Sequence, residues 1–129
     1  MKIVFILLSL LAMYYGCSKT EIDISRFPGA ESEYTISIHD TISLSLNSNP
    51  TTGYSWNWAN KDLVKIVTSS GSQFMQDTPA DKKVVGRGGK EIWKFLGVQR
   101  GIDTIKMVYR RPWDATSGID TLRILVKVK

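Results

Sequence analysis

Apolar and polar residues alternate along most of the chain after residue 34. Ile42, Leu44 and Leu46 alternate with hydroxyl side chains, for example, and the same period of two recurs towards the end of the chain. This period, with β-branched and aromatic residues at the apolar positions, predicts strands that bury one face. We expect seven strands, at residues 34–38, 41–46, 54–58, 63–67, 91–98, 103–110 and 120–128.

Seven short strands without a helical period predict an all-β fold. Their number and length are typical of an immunoglobulin-like antiparallel β-sandwich. The Cys–Trp–Cys signature of antibody domains is absent from the sequence. The predicted connection at residues 68–90 is long, and connections of this length are usually functional or mobile.

The first residues carry the pattern of an export signal. Lys2 is followed by an apolar run from Ile3 to Tyr15 and then by Gly16. A positive charge, an apolar run and a small residue predict a signal peptide at residues 1–16. The run is shorter than the roughly 20 residues of a spanning helix, and a buried N-terminal helix is the alternative. We expect a tether at residues 17–33 and a single domain at residues 34–129.

Cys17 is the only cysteine, so no internal disulfide is expected. Its position directly after Gly16 resembles the lipobox of bacterial lipoproteins. That resemblance implies lipidation of Cys17 and anchoring of the exported protein to the cell envelope. Tyr14 departs from the aliphatic residue usual three positions before the cysteine. Simple cleavage, which would give a periplasmic or secreted protein, is therefore the alternative.

The charge of the chain does not predict a nucleic-acid partner. The net charge is +5, but the basic residues are scattered, and Lys82-Lys83 and Arg110-Arg111 are the only adjacent pairs. Nucleic-acid-binding proteins usually concentrate such residues in a patch or stripe.

The sequence also gives no sign of an enzyme. His39 is the only histidine, near a strand end and far from the unusual loops. The sequence shows no clustered carboxylates, metal-ligand spacing or nucleophile elbow. We therefore expect no catalytic activity, no metal and no cofactor.

Three segments between predicted strands are richer in turn-forming and aromatic residues than plain connectors. The first is Asn49, Pro50, Thr51, Thr52, Gly53 and Tyr54; the second is Gly86, Arg87, Gly88 and Gly89; the third is Arg111, Pro112 and Trp113. Proline stiffens the first segment, and Gly53 permits a positive φ. In the third segment, Arg and Trp are types enriched at binding hot spots. Taken singly, the segments could be an ordinary turn, a floppy loop and a tryptophan folded back onto the sheet.

The order of these segments predicts that they lie together. Two predicted strands separate the first segment from the second, and two more separate the second from the third. Because an antiparallel chain reverses at each turn, alternate connections emerge at the same end of a sandwich. We therefore expect one composite binding surface.

The three segments together resemble the chagasin family, protein inhibitors of papain-like cysteine peptidases. That family carries N-P-T-T-G-[YF], G-x-G-G-like and R-P-[WF] loops in this order on an immunoglobulin-like fold, and the resemblance covers residues 34–129. It implies that the loops occlude the active-site cleft of a peptidase. Thr51 would lie over the catalytic Cys/His pair, Gly88 along the cleft wall and Trp113 on neighbouring aromatic surface.

The alternative function is a surface adhesion or carbohydrate-binding module. In that case Trp56, Trp58 and Trp113 would serve as stacking platforms for a sugar. Trp56 and Trp58 share one strand face, however, which favours a place in the core.

Overall fold

The computed structural model describes residues 19–23, 31–77 and 88–129. The predicted signal peptide at residues 1–16 and Cys17 lie outside the described residues, as do Gly86 and Arg87. The strands of the described residues are β1 (Lys19–Asp23), β2 (Glu31–Ile36), β3 (Thr41–Ser48), β4 (Ser55–Trp58), β5 (Val67–Gln76), β6 (Gly89–Gly97), β7 (Gly101–Arg110) and β8 (Asp120–Val128). A 3₁₀ turn spans Pro50–Thr52. Within these ranges no helix is long and apolar enough to cross a bilayer.

The strands form two four-stranded sheets. One has the order β1-β3-β6-β5 and the other β2-β8-β7-β4. The pairs β1–β3 and β2–β8 are parallel, and the remaining pairs are antiparallel. This two-sheet arrangement confirms the predicted all-β sandwich.

Three segments differ from the predicted strand pattern. The first predicted strand, at residues 34–38, is β2 at Glu31–Ile36, which begins inside the predicted tether. Lys19–Asp23, also inside the predicted tether, forms β1, and residues 63–66 belong to the connection between β4 and β5 rather than to a strand. The strand instead runs through Val67–Gln76, within the segment that we expected to be a long connection. The reason is that β5 is an edge strand whose residues are mostly exposed. Because neither face of β5 is extensively buried, the strand does not require apolar residues at every second position.

The core lies between the sheets and follows the predicted alternation. Ile42, Leu44 and Phe95 are fully buried. The buried inward residues of β7 and β8 are Ile105, Met107, Leu122, Ile124, Val126 and Val128. The Phe95 ring meets Trp58 edge to face, with ring centroids 5.0 Å apart, and stacks on Trp93 at 6.1 Å. Burial of a large apolar side chain contributes about 1.5–3 kcal/mol, so this interior can fix the frame on which the loops are mounted.

The connections emerge at two opposite ends. Residues 49–54 follow β3 and residues 111–119 follow β7; we call these loop 1 and loop 3. Loop 2 denotes the two described residues between β5 and β6, Asp77 and Gly88, and the end that the three loops share is the loop pole. Residues 37–40, 59–66 and 98–100 connect the strands at the other end, the base pole.

A matched pair of leucines tests this core. Leu44 is 0% exposed, whereas Leu63 is 77% exposed. We expect Leu44→Ala to lower the free energy of unfolding by about 2–5 kcal/mol because it leaves a cavity. Leu63→Ala should change it by about 0.5 kcal/mol or less. Urea unfolding measures both values, and equal losses would contradict this account of the interior.

Candidate functional site

The loop pole brings together described residues from all three loops. A Cβ atom built on Gly53 of loop 1 would lie 2.9 Å from Cη2 of Trp113 in loop 3. A Cβ on Gly88 of loop 2 would lie 3.3 Å from the Ser48 carbonyl oxygen, just before loop 1. The segments singled out in the sequence therefore form one continuous surface, except for Gly86 and Arg87, which the structure does not describe.

Loop 1 is held in shape by its own hydrogen bonds. The Asn49 carbonyl accepts from Thr52 N–H at 3.2 Å and from Thr52 Oγ1 at 2.6 Å. Thr51 Oγ1 donates to Asn49 Oδ1 at 2.6 Å. Gly53 closes the turn by donating to the Pro50 carbonyl at 3.0 Å, with φ at +79°. This left-handed conformation favours glycine, and Gly53 adopts the positive φ that its residue type permits.

Tyr109 anchors the base of loop 1 from the neighbouring sheet. The backbone N–H of Asn49 donates to the Tyr109 hydroxyl at 2.9 Å. The Tyr109 ring also packs against Tyr54 and Trp56, with centroid distances of 5.6 and 5.2 Å. Trp56 Nε1 in turn donates to the Asn47 carbonyl at 2.9 Å. The residues flanking loop 1 are therefore tied to β7 as well as to β3.

Loop 3 lies against loop 1 and carries the exposed indole. The Arg111 guanidinium carbon lies 4.9 Å from the centroid of the Tyr54 ring, which places a cation over an aromatic face. Trp113 is 75% exposed, so the alternative of an indole folded back into the sheet is wrong. The Arg111 N–H donates to Ser117 Oγ at 2.9 Å, and Ser117 Oγ donates to the Asp114 carbonyl at 2.7 Å. These bonds close the loop beneath the indole.

Asp114 adds a fixed negative charge beside Trp113. Its Oδ1 accepts from Thr116 Oγ1 at 2.7 Å and from the Thr116 N–H at 2.9 Å. The side-chain bond from Thr116 is the largest cause that lowers the pKa of Asp114 below its usual 3.8, followed by the backbone bond and the positive charges of Arg111 and Arg110. The carboxylate is therefore ionised at neutral pH.

Two glycines lie where loop 2 meets β6: Gly88 ends the loop and Gly89 begins the strand. Gly89 is buried, and a Cβ there would collide with the Met75 carbonyl of β5. Gly88 lies beside Ser48, so a side chain there would press against the backbone that leads into loop 1. A shallow cleft of about 350 Å³ runs between these glycines, Asp77 and the base of loop 1. The glycines thus allow the backbones of loops 1 and 2 to approach closely.

A buried carboxylate joins the two sheets beneath the loops. Glu91 on β6 is 5% exposed. Its Oε2 accepts from the Trp56 backbone N–H at 3.1 Å, and its Oε1 accepts from Trp93 Nε1 at 3.0 Å. The first bond satisfies a donor on the open edge of β4, where leaving it unpaired would cost about 1–3 kcal/mol. Glu91 therefore fixes the strand that follows loop 1.

Sequence reasoning missed Glu91 and Tyr109 as parts of the site. The signal for Glu91 was a carboxylate at an inward position of a strand, since Trp93 and Phe95 share its face. Tyr109 could be identified only as the last inward residue of β7. Its partner Asn49 lies 60 positions away in the sequence, so only the folded topology shows that they meet.

The remaining candidates lie away from this surface. His39 belongs to the base pole, where its N–H donates to the Gly97 carbonyl at 2.9 Å and its φ is +73°. Trp56 is 8% exposed and Trp58 packs on the core. Two of the three proposed sugar-stacking platforms are thus occupied in the interior. The loop pole presents a stiff protruding edge that is suited to filling a groove in a partner.

Comparison with known proteins gives consistent similarities. A family model described as "Chagasin family peptidase inhibitor I42" matches residues 35–128. Amoebiasin-1 of Entamoeba histolytica is 34% identical over 98 residues, which are 74% of this chain and 88% of that protein. Chagasin of Trypanosoma cruzi is 28% identical over 95 residues, which are 74% of this chain and 86% of that protein.

A solved structure supports the same fold. The cysteine protease inhibitor EhICP2 of Entamoeba histolytica superposes with a TM-score of 0.68 at 24% identity, covering 86% of this chain and 96% of that one. These relatives are inhibitors and not adhesion modules, so the comparisons do not favour the alternative function.

Substitution of Gly53 tests the contact between loops 1 and 3. In Gly53→Ala the new methyl group meets the Trp113 indole, and the positive φ becomes strained by about 1–2 kcal/mol. We expect the Trp113 Nε1–H resonance to shift in a ¹H–¹⁵N NMR spectrum.

Gly71→Ala is the matched control. Gly71 also has a positive φ, of +105°, but a Cβ there meets nothing within 4 Å. This variant should be strained without moving the Trp113 resonance. An unshifted indole signal in Gly53→Ala would show that the two loops are not coupled.

Proposed function

Because the chain belongs to the chagasin family of peptidase inhibitors, we propose that its loop pole inhibits papain-like cysteine peptidases by filling their active-site cleft. The observation that carries this proposal is the contact of Gly53 with the Trp113 indole, which unites loops 1 and 3 in one edge. Loop 1 is the central wedge, and loops 2 and 3 flank it.

The energetic argument rests on preorganisation. Binding costs free energy for every loop and side chain that must be ordered. Here Asn49, Tyr109 and Ser117 already hold the loop backbones through hydrogen bonds. More of the contact energy therefore remains as affinity. Protease–inhibitor interfaces are of ordinary size, about 1,600 Å² in total, yet are among the tightest known.

Each loop has a separate proposed role. Thr51 lies over the catalytic Cys/His pair of the peptidase, the backbone around Gly88 follows the cleft wall and Trp113 packs on aromatic surface beside the cleft. The carbonyls of Asn49 and Pro50 already accept hydrogen bonds within the 3₁₀ turn. Loop 1 therefore does not lie extended as a substrate would, and we expect it to remain uncut.

This action is binding rather than catalysis. Steric occlusion needs no nucleophile, metal or cofactor of the inhibitor's own, and we propose that the chain has no enzymatic activity. The central experiment is a titration of papain and of a cathepsin L-type peptidase with the purified protein. We expect reversible, stoichiometric loss of activity and an intact inhibitor afterwards. Full peptidase activity at a large excess of the protein would overturn the proposal.

Truncation of the indole tests loop 3. We expect Trp113→Ala to weaken inhibition of papain by about 2 kcal/mol or more, since exposed Trp residues are frequent hot spots. Ile119→Ala is the control, because Ile119 is 65% exposed at the far end of the same loop. It should change the inhibition constant by less than about 1 kcal/mol. An unchanged constant for Trp113→Ala would remove the indole from the interface.

We also propose that the protein is exported and anchored through lipidated Cys17. Support comes from the apolar run at residues 3–15 and from the position of Cys17 directly after it. Growth with a radioactive fatty acid should label the wild-type chain and leave Cys17→Ser unlabelled. No label on the wild type would favour simple cleavage and a periplasmic or secreted inhibitor.

A further inference from the structure

The chain enters the described domain at the end opposite to the inhibitory loops. Lys19 pairs with Thr41 in the parallel β1–β3 ladder. Thr41 begins β3, whose far end leads into loop 1. Cys17 stands two residues before Lys19 in the sequence, and two residues reach at most about 7 Å. A lipid on Cys17 would therefore hold the base pole, and not the loop pole, against a membrane.

Exposed apolar side chains are found at this base pole. Leu63 is 77% exposed, Ile102 is 62% exposed and Val98 is 45% exposed. Hydrogen bonds show that their segments meet: Val98 N–H donates to the Ile66 carbonyl, and Asn60 Nδ2 donates to the Thr104 carbonyl. Each side chain is free to enter the interfacial layer of a bilayer.

Basic residues share the base pole with these apolar side chains. The base pole and the adjoining end of β8 carry the exposed residues Lys61, Lys65, Arg100, Lys127 and Lys129. The acidic residues there are Asp40, Asp62 and, just inside β7, Asp103. Of these, Asp40 accepts from the Ser37 N–H and Asp103 from the Thr104 N–H.

The loop pole has no such excess of positive charge among its described residues. The basic residues there are Lys90, Arg110 and Arg111, and they are balanced by the acidic residues Asp77, Asp114 and Asp120. The basic surplus of the described domain is therefore displaced towards the end at which β1 begins. Lysine and arginine near an anionic lipid surface are attracted to it.

We propose that the base pole is a membrane-docking surface for anionic lipid headgroups. This proposal rests on the proposed anchoring through Cys17 and on the charge and exposed apolar residues of the pole. The lipid anchor retains the chain at the membrane, and a basic patch is a common second signal that would set the orientation of the domain there. Docking holds the domain with its strands pointing away from the membrane plane. Because β3 has eight residues at about 3.3 Å each, the loops stand roughly 25 Å above the surface.

The test measures which pole touches the lipid. The full chain is purified from membranes with one of two substitutions, Ile102→Cys or Ile119→Cys. A fluorophore is attached to the introduced thiol, and the labelled chain is placed in vesicles of phosphatidylcholine and phosphatidylglycerol. The two sites are a matched pair because they are 62% and 65% exposed at opposite poles. A nitroxide on the lipid headgroup is the quencher. We expect quenching at residue 102 to be at least about twofold greater than at residue 119, in view of the separation along the strands.

A charge reversal tests the electrostatic part. In Lys61→Glu/Lys65→Glu we expect quenching at residue 102 to fall to the value found in pure phosphatidylcholine vesicles, since each basic residue strengthens attraction to such a surface about fivefold. Arg123→Glu is the control, because Arg123 is exposed on β8, in the half of the strand nearer to the loop pole. It should leave the quenching unchanged. Equal quenching in neutral and anionic vesicles would overturn the selectivity for anionic lipids.

The outcomes separate this proposal from those on which it rests. Equal or greater quenching at residue 119, with the chain retained on vesicles, overturns docking but not anchoring. A chain that is not retained, and whose Cys17 thiol in the wild type reacts with maleimide, overturns both. Inhibition of papain is assayed on the same vesicles. If docking is correct, the anchored chain inhibits as well as the detergent-solubilised chain, because its loops point away from the lipid.

Discussion

The loop pole depends on the close approach of Gly53 to the Trp113 indole. Loop 1 follows β3 and loop 3 follows β7, so the two are brought together by the packing of one sheet on the other. Only a residue without a side chain can adopt the positive φ at this point and leave room for the ring. The same contact thus determines both the shape of loop 1 and the position of the exposed Trp113 indole.

Beneath this contact, polar groups connect the two sheets where the apolar core ends. The Tyr109 hydroxyl accepts a hydrogen bond from the Asn49 N–H. The Glu91 side chain accepts one from the Trp56 N–H of β4 and one from Trp93 Nε1 of β6. Buried polar groups that find partners stiffen a structure and specify one arrangement. The rigid edge that the proposed inhibition requires is therefore built partly by residues that do not touch the peptidase in our account.

Much of this could be predicted from the sequence, because the buried strands alternate. The strands β3, β7 and β8 lie close to their predicted positions, and the three unusual segments come together. The edge strands β1 and β5 were missed for a physical reason. Because they are paired on one side only, they need no strict apolar period, as the polar β5 shows. Long-range polar contacts such as that of Tyr109 leave no local signal in a single sequence.

The exposed edge of β5 has a consequence for the protein at high local density. A long unpaired strand edge is a template for association with other chains, and tethering to a surface would raise the rate of such encounters. Along β5 the ladder is interrupted between Ser69 and Ser72, where Gly71 turns the backbone through a positive φ. Over residues 67–73, irregular geometry and short polar side chains make this edge a poor template for stacking. Phe74 and Met75, near the loop pole, are its exposed apolar residues. The absence of an alternating apolar pattern, which kept this strand from being predicted, thus also disfavours pairing of neighbouring molecules along this polar part of the edge.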